Sequence, residues 1–555
     1  MPENLDRTEQ NRTEQNRTEQ NRTEQNRTEQ NRTLTDKKQH YTSEIDKIAK
    51  ESFNDEQKKI AKLILDKADE SNIDAIYTFI TQRVKLGFVF DAAPETRHDC
   101  VALCEYNPKL SFGSISGTGT ENNHKFIIGE NYDALKNLVC TYTKNGEGLI
   151  DVIYIDPPYN TEHAKKDGND YKEEVQAEKF IYRDKFTRTG WLNMMRERLV
   201  LARKLLSPIG VIFISIDDNE QAYLKVLCDE IFGENNFEGQ IHWRRRSNQP
   251  NDKTKLIGIV AEHILVYSKN RDLHKKFGIG KVGITGKFSN PDNDPKGPWA
   301  SKPWKTGSNQ SGTSYTITSP TGKIFSEEWM GDEETFLKLL NDGRIVFPKD
   351  GNGSPRKKYY KSEREIEGQC ACNWWGSEEY GYNETATNEL KLFNLQFNNP
   401  KPVQLMKTLI QLGSIKDDAK ILDFFAGSGT TGQAVMELNE EDGGNRRCIL
   451  VTNNENGIAK NVAYERLYRV VLGIGTKGET FQWKYSKEKP SLINNYWDVF
   501  EIKQDELKID DYEKAEELIK KAEEEFRLLN PDYVHKEFDI YNQLASLRPF
   551  SKGGK

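Results

Sequence analysis

Two short segments contain residue types whose combination could support chemistry. One is the run DPPY at residues 156–159, and the other is the run DFFAGSGT at residues 423–430. Each follows apolar residues that predict a buried strand, VIYI before the first and KIL before the second. Ligands of α/β proteins bind at the carboxyl ends of the strands. We therefore expect a ligand site at these two positions.

The first run suits transfer of a group to an aromatic amine, which is a poor nucleophile because its lone pair is delocalised. The carboxylate of Asp156 and the backbone carbonyl of Pro157 can accept the two amine hydrogens and stabilise developing positive charge. Neither Pro157 nor Pro158 carries a backbone N–H, so carbonyl groups face the pocket. Tyr159 offers a ring on which an extruded base can stack. A Pro-Pro turn that merely ends a strand is the alternative.

The second run suits a nucleoside or a carboxylate. Gly427 and Gly429 allow a tight turn and close approach of the backbone to a ligand, and the helix that begins near Thr430 favours negative charge at its start. Glu455, after the next predicted strand, can accept hydrogen bonds from ribose hydroxyls. An ordinary glycine turn explains this run equally well when it is considered alone.

The pattern along the chain favours an α/β domain with a mainly parallel sheet. Runs typical of strands alternate with helical periodicity from about residue 124 to 240 and again from about 396 to 455. The segment between them is aromatic, basic and glycine-rich, which predicts an inserted domain. Helical spacing also marks residues 36 to about 89, and the stretch from about 485 is acidic and helical by composition.

Composition restricts the partners and the compartment. The net charge of the 555 residues is −7, so a nucleic-acid surface must be a local basic patch. No apolar run of membrane-spanning length and no signal peptide are visible, so we expect a cytoplasmic protein. Cys100, Cys104, Cys370 and Cys372 could in principle share a zinc ion, but their spacing does not fit one. We therefore expect reduced thiols and no metal.

The N-terminal segment carries a five-residue repeat. Residues 6–33 read DRTEQ, then tandem NRTEQ units and a final NRT. No residue in them is apolar, which predicts disorder. A five-nucleotide DNA repeat encodes a five-residue repeat, and the genetic code allows one such unit for NRTEQ, namely AACAG. Slippage in such a tract would switch expression on and off; a duplication of fifteen nucleotides is the alternative.

On these motifs the chain resembles the amino-methyltransferases of DNA, in the beta arrangement that places DPPY before FAGSGT with a large segment between them. Further runs resemble the modification subunits of Type III restriction-modification systems over about residues 125–475: FTRTGWLNMMRERLVLARKLL, GVIFISIDDNE, IFGENNF and ILDFFAGSGTTGQAV. The resemblance implies a Rossmann-like α/β fold that uses S-adenosylmethionine, with DPPY as the catalytic pocket.

The resemblance also implies the cofactor site. Eight residues would line S-adenosylmethionine: Asp423, Phe425, Gly427, Gly429, Thr430, Glu455, Glu130 and Lys401. Lys401, with Pro402 and Leu405, matches the other cofactor segment of the family. Glu130 stands where the family often has aspartate.

In this family the inserted segment would be the target-recognition domain, which reads double-stranded DNA. Two of its clusters interleave cations with aromatic residues and so suit phosphate contact and base readout. The expected DNA-binding residues are Trp243, Arg244, Arg245 and Arg246 in the first cluster and Arg356, Lys357 and Lys358 in the second. Solvated charged faces are the alternative for each cluster.

The predicted organisation has six segments. They are a disordered repeat (1–35), a helical N-terminal region (36–110), the first methyltransferase part (111–239), the target-recognition domain (240–395), the second methyltransferase part (396–484) and a helical C-terminal region (485–555).

The favoured function is methylation of adenine N6 by the modification and specificity subunit of a Type III system. The resemblance implies a homodimer that works with a separate restriction subunit. ATP-driven cleavage would need such a partner, because GIGTKGE near residue 473 lacks the spacing of an ATP-binding phosphate loop. The alternatives are N4-cytosine methylation, a solitary methyltransferase, and a catalytically silent DNA-binding module; RNA or protein glutamine is a less favoured substrate. Asp rather than Ser at position 156 favours adenine, and intact Asp156, Tyr159 and Gly427 argue against a silent module.

Overall fold

A computed structural model of the chain shows two compact units, Met1–Ala92 and Ala93–Lys555. The described residues are 34–47, 55–69, 71–73, 76–77, 99–113, 123–159, 188–251, 253–254, 256–278, 280–283, 286–481, 492–508, 511–535 and 539–547. The pentapeptide repeat lies outside these residues.

The first unit contains two helices, α1 (Leu34–Lys47) and α2 (Asp55–Lys67). They pack on each other around the buried side chains of Ile45, Ala61 and Leu65. Helical structure was predicted for residues 36–110, the range in which α2 and most of α1 lie.

The second unit is built on a mixed sheet. Its eleven strands, counted over the described residues, are β1 (Cys100–Tyr106), β2 (Phe112–Gly113), β3 (His124–Ile128), β6 (Ile150–Ile155), β7 (Leu206–Ile216), β8 (Phe237–Arg244), β9 (Ala261–Ser268), β15 (Trp374–Trp375), β16 (Lys420–Asp423), β17 (Arg447–Thr452) and β18 (Tyr496–Glu506). The other strands are β4 (Thr143–Lys144), β5 (Glu147–Gly148), β10 (Trp299–Pro303), β11 (Thr313–Thr318), β12 (Ile324–Trp329), β13 (Ile345–Val346) and β14 (Arg356–Tyr360).

The centre of the sheet is parallel, as the alternation of strands and helices predicted. The strand order is β1-β18-β3-β17-β16-β6-β7-β9-β8-β15, and β2 pairs with β18. Every pair from β18 to β7 is parallel, whereas β1 pairs with β18 antiparallel and β9 pairs antiparallel with both β7 and β8. Strand residues such as Val152 and Ile153 are fully buried, as in a sheet covered by helices.

The helices of this unit pack in two groups along the sheet. Their bounds are α3 (Asn131–Thr141), α4 (Arg188–Leu205), α5 (Gln221–Phe232), α6 (Arg271–Phe277), α7 (Glu333–Asn341), α8 (Lys361–Glu367), α9 (Ser377–Tyr380), α10 (Asn383–Leu392), α11 (Val403–Gly413), α12 (Thr430–Asp442), α13 (Tyr464–Leu472), α14 (Tyr512–Leu529) and α15 (Ile540–Gln543). Helices α3, α4 and α5 pack in succession, and so do α11, α12 and α13. A π-helical turn, Ile458–Ala463, leads into α13.

Two regions predicted as helical also supply strands of the main sheet. The N-terminal region contains β1, and the C-terminal region contains β18, which lies between β1 and β3. The prediction for β18 was wrong because the acidic composition of the region conceals a short buried run, Trp497–Phe500, in which the Asp498 carboxylate is paired with Lys125. The helix α14 follows β18 as expected.

The inserted segment has a core of its own but is shorter than predicted. A sheet of β10, β14 and β13 and the hairpin of β11 and β12 enclose Trp304, Trp329 and Phe336. The predicted boundaries at 240 and 395 were wrong, because β8, β9 and β15 extend the main sheet and the side chains of Trp243 and Trp375 lie in its core.

No helix in the described part of the chain is long and apolar enough to cross a membrane. All seven cysteines lie within the described residues, and each is a free thiol.

Candidate active site

Four neighbouring parallel strands bring the predicted motifs to one edge of the sheet. Ile421 on β16 lies opposite Val152 on β6, so DPPY and the glycine turn follow adjacent strands. Glu130 comes after β3, and Glu455 comes after β17, the strand between β3 and β16. All the predicted catalytic and cofactor segments therefore reach the same edge.

The side chains of the DPPY run form a hydrogen-bonded group with a lysine from a distant segment. The Tyr159 hydroxyl donates to Asp156 Oδ1 at 2.7 Å. Lys401 Nζ donates to Asp156 Oδ2 at 2.8 Å and to the Tyr159 hydroxyl oxygen at 3.0 Å. Lys401 is buried, and its Nζ lies 5.2 Å from the centroid of the Tyr159 ring. The structure thus places Lys401, expected in the cofactor site, against the catalytic motif.

Sequence reasoning missed a fourth member of this group, Glu262 on β9. Its carboxylate is 3% exposed. Glu262 Oε2 accepts from the Tyr159 hydroxyl at 3.2 Å and lies 3.3 Å from Lys401 Nζ. Its other oxygen lies 3.4 Å from Arg245 Nη1. No motif surrounds Glu262 in the sequence, and its position inside a strand of mixed character gave no signal.

Burial and mutual charge control the protonation of this group. Burial raises the pKa of Asp156, and the Glu262 carboxylate raises it further, whereas the Lys401 ammonium opposes both. Burial by itself lowers the pKa of Lys401, but the two carboxylates outweigh it and raise that pKa. Burial also holds the pKa of Tyr159 well above its usual range, so its hydroxyl stays a hydrogen-bond donor. Lys401 is thus the cation that favours the ionised form of Asp156.

The backbone carbonyls of the two prolines differ in their hydrogen bonding. The Pro158 carbonyl accepts from Trp191 Nε1 at 2.7 Å, and the Trp191 side chain is fully buried. Over the described ranges of the chain, no donor reaches the Pro157 carbonyl. That carbonyl and the Asp156 carboxylate are the acceptors that the pocket offers to an incoming amine.

The glycine turn after β16 is held by Asp423. Its Oδ1 accepts from the backbone N–H of Phe425 at 3.0 Å, and its Oδ2 accepts from the Thr431 hydroxyl at 2.5 Å. Burial raises the pKa of the Asp423 carboxyl to about 7. Asp423 therefore shapes the turn from within, while its side chain is 2% exposed.

The turn itself has the features of an anion cradle. Gly427 and Gly429 have φ values of +49° and +76°, a conformation that residues with a side chain rarely adopt. The N–H groups of Gly427 and Ser428 have no acceptor in the part of the chain that the structure describes, and α12 starts at Thr430. Buried Arg466 fixes the turn from behind, since its Nη1 donates to the Thr430 hydroxyl oxygen at 2.7 Å. The donor set fits a carboxylate or a nucleoside.

The two acidic residues expected around the cofactor differ in their surroundings. Glu130 is buried and forms an ion pair with Arg198, whose Nη2 lies 2.5 Å from its Oε1. Arg198 Nε also donates to Asn131 Oδ1, and Asn131 Nδ2 donates to the Phe424 carbonyl at 2.9 Å. Glu130 therefore braces the glycine turn through this chain of contacts. Glu455 is partly exposed and begins a short 3-10 turn, Glu455–Gly457.

The first predicted DNA-binding cluster splits into core and surface residues. Trp243 is fully buried and donates to the Gly381 carbonyl, so its assignment to DNA contact was wrong. Arg245 contacts the catalytic group through Glu262, whereas Arg246 is exposed. Arg244 is partly exposed and donates to the Arg246 and Ser247 carbonyls.

The second cluster, on β14, splits in the same way. Lys358 is buried, with its Nζ 2.5 Å from Asp292 and 2.7 Å from Asp294, so its assignment to DNA contact was also wrong. Arg356 is partly exposed and binds the Ser301 carbonyl and hydroxyl. Lys357 remains partly exposed and lies over the ring of Tyr359.

Comparison with known protein families identifies two matches. Residues 150–465 match the model of a family described as DNA methylase. Residues 38–147 match the model of an uncharacterised conserved protein family.

Several curated relatives are DNA-modifying enzymes. The chain is 38% identical over 372 residues to the Mod subunit of the Type III restriction-modification enzyme StyLTI of Salmonella typhimurium, covering 62% of this chain and 56% of the relative. It is 32% identical to the EcoPI Mod subunit of Escherichia phage P1, covering 64% and 62%. It is also 32% identical to the Type II methyltransferase M.KpnI of Klebsiella pneumoniae, covering 62% and 84%. The match thus spans less than two thirds of the two Mod subunits.

Among solved structures, a putative DNA modification methylase of Thermus thermophilus, complexed with S-adenosyl-L-methionine, covers 68% of this chain and 99% of its own with a TM-score of 0.30 and 14% identity.

Proposed function

Since the chain belongs to the DNA methylase family, we propose that it transfers a methyl group from S-adenosylmethionine to N6 of adenine in double-stranded DNA. It does so in the cytoplasm, as the modification and specificity subunit of a Type III restriction-modification system. The observation that carries this proposal is the position of DPPY and the glycine turn on the adjacent strands β6 and β16. That arrangement sets an amine-binding pocket beside a nucleoside-binding turn.

The residues of the pocket activate the amine of an extruded adenine. One amine hydrogen is accepted by Asp156 and the other by the Pro157 carbonyl, which directs the nitrogen lone pair away from both. Because Lys401 favours the ionised form of Asp156, the carboxylate is an acceptor and stabilises the positive charge that develops on the nitrogen. Tyr159 positions the carboxylate and offers its ring to the base.

The glycine turn suits S-adenosylmethionine, which supplies an electrophilic methyl group on a sulfonium. The open N–H groups of Gly427 and Ser428 and the start of α12 would hold its carboxylate. Glu455 would accept hydrogen bonds from its ribose hydroxyls. With Asp423 shaping the turn, these residues bring the methyl group toward the amine, and much of the rate gain is positioning.

The Type III assignment rests on the relatives and on the resemblance of the sequence. Two of the relatives are Mod subunits of Type III enzymes. By that likeness we infer a homodimer that associates with a separate ATP-dependent restriction subunit. A solitary enzyme, a cytosine-N4 enzyme and a silent DNA-binding module remain the competing functions. The repeat at residues 6–33 supports phase-variable expression, and the codons of the tract decide between that and a plain duplication.

Substitution of the catalytic carboxylate tests the proposal. Asp156→Asn should reduce methyl transfer by about 100-fold or more, because the amide cannot stabilise positive charge on the amine. Binding of DNA and of S-adenosylmethionine should remain. Methyl transfer is measured with radiolabelled cofactor, and both affinities are measured separately. Asp442→Asn, at the far end of α12, is the control. Unchanged methyl transfer by Asp156→Asn would contradict the proposal.

A further inference from the structure

Glu262 is a buried carboxylate with no place in the mechanism above. It lies on β9, which extends the sheet beyond β7, while Lys401 and Tyr159 come from segments next to α11 and β6. Its Oε2 lies 3.2 Å from the Tyr159 hydroxyl and 3.3 Å from Lys401 Nζ. Both of these groups also touch Asp156. Glu262 is thus the point at which the antiparallel part of the sheet contacts the catalytic motif.

We propose that Glu262 is a positioning residue for methyl transfer, which holds the Lys401 ammonium and the Tyr159 hydroxyl where both act on Asp156. The inference rests on the proposed function. Lys401 can donate three hydrogen bonds, and Glu262 fixes one of these directions while Asp156 and the Tyr159 oxygen take the others. Without Glu262, the ammonium is free to turn and the carboxylate loses its fixed orientation.

Arg245 links Glu262 to the loop between β8 and β9. It directly follows β8 and lies 3.4 Å from Glu262 Oε1, the carboxylate oxygen that does not face Lys401. Its backbone N–H donates to the Val260 carbonyl at 3.0 Å and so closes the loop between β8 and β9. Lys401 and Arg245 supply the paired charge that a buried carboxylate such as Glu262 needs.

The charged groups around Asp156 give the proposal a distinctive pH signature. Lys401 faces Asp156 from the segment before α11, Glu262 from β9, Asp423 from the end of β16, and Tyr154 and Tyr159 from β6 and the segment that follows it. The carboxylate of Asp217, after β7, interacts electrostatically with Glu262. Through its charge Lys401 favours the ionised form of Asp156, and Glu262 opposes that form.

Removal of the Lys401 charge and removal of the Glu262 charge should therefore move the acidic limb of the pH–rate profile in opposite directions. Lys401→Met removes the cation, so Asp156 ionises only at higher pH and the limb moves up. Glu262→Gln removes a neighbouring anion, so the limb moves down, while the rate at the plateau falls about 10- to 100-fold because the group is no longer fixed. A merely structural loss would lower activity without moving the limb in either direction.

The experiment measures single-turnover methylation of duplex DNA against pH for the full chain and its variants. Glu262→Asp keeps the charge and shortens the side chain, so it should lose rate while its limb stays at the wild-type pH; it also covers a failure of Glu262→Gln to fold. Glu238→Gln, which removes a carboxylate on β8 that is paired with Arg271, is the control and should behave as wild type. Affinity for DNA should change less than about twofold in every variant.

The outcomes separate the two claims. If the wild-type chain methylates no DNA, the proposed function fails. If the wild type is active and Glu262→Gln keeps its plateau rate, or its limb moves in the same direction as that of Lys401→Met, Glu262 is not a positioning residue.

Discussion

At the scale of single residues, the site uses buried charge in two ways. Asp156 is partly buried and paired with Lys401, whereas the buried Asp423 is held by the Phe425 N–H and the Thr431 hydroxyl. The first arrangement favours the ionised form of an acceptor for chemistry. The second fixes a turn. Burial raises the pKa of Asp423 to about 7, so ionisation of this carboxyl lowers the stability of the folded chain.

This difference predicts how stability depends on pH at Asp423. A folded-state pKa near 7, above the unfolded value near 3.8, means that the stabilisation from protonated Asp423 is complete at low pH and is lost as the pH rises through 7. Asp423→Asn carries no charge. Its melting temperature, relative to wild type, should therefore be higher at pH 8 than at pH 5, by on the order of 2–4 °C.

Thermal denaturation at the two pH values measures this shift. Asp442→Asn is the matched control: burial raises the pKa of Asp442, but its hydrogen bonds with Arg446 and the Gly444 N–H outweigh burial and lower that pKa. Asp442 therefore stays ionised at both pH values, and the relative melting temperature of Asp442→Asn should not change between them. A relative melting temperature of Asp423→Asn that stays constant or falls between pH 5 and pH 8 would show that Asp423 is not penalised by burial.

The sequence was sufficient to find the residues of DPPY and of the glycine turn, since each has an unusual composition at the end of an apolar run. It was not sufficient for Glu262, whose role depends on the antiparallel pairing of β9 with β7. The sequence also could not show that Lys401 lies against Asp156, since the two are 245 positions apart. Contacts of that kind are set by the order of strands in the sheet, which no local pattern reveals.

At the scale of elements, β14 shows that neighbouring residues of one basic cluster have different roles. Side chains alternate along a strand, so Lys358 faces inward to Asp292 and Asp294 while Lys357 lies on the other face. The same alternation explains why Trp243 is buried next to the partly exposed Arg244. Composition alone could indicate the clusters. The face of the strand on which each side chain lies could be assigned only from the structure.

The pair Lys357 and Lys358 allows a matched test of this difference. Lys358→Met leaves Asp292 and Asp294 without their cation, so the inserted segment should lose protection against hydrogen exchange. Lys357→Met should keep that protection but weaken DNA binding by roughly 2- to 5-fold and reduce its dependence on salt. A Lys358→Met variant with full protection and weaker DNA binding would restore Lys358 as a DNA contact.

The helix α2 shows that apolar residues at helical spacing need not all lie on the buried face of the helix. In α2, the apolar residues Ile60, Leu63 and Ile64 are each about half exposed, while Ala61 and Leu65 turn toward α1. Helical spacing indicates the helix but does not indicate which of its apolar residues are buried. A short helix with apolar residues on several sides does not define its buried face until its packing partner is known.

At the scale of the whole molecule, the chain combines a net negative charge with local basic residues, and both motifs lie at one edge of its main sheet. Because the net charge is −7, we expect DNA to be bound through local cations such as the exposed Arg246 and the partly exposed Lys357. The order of the two motifs, the parallel centre of the sheet and the inserted core could all be inferred from the sequence, because each leaves a long and regular pattern. The boundaries could not, because β8 and β9 belong to the main sheet although their sequence resembles the insert.

The measurement that tests the central claim most directly is a map of modified bases in DNA from a methylation-free host that expresses the chain. Single-molecule sequencing reports the base, the site and the strand together. We predict N6-methyladenine at one short asymmetric sequence and on one strand only. N4-methylcytosine, or soluble protein that leaves the DNA unmodified, would contradict adenine methylation by this site, and methylation of both strands would contradict the Type III assignment.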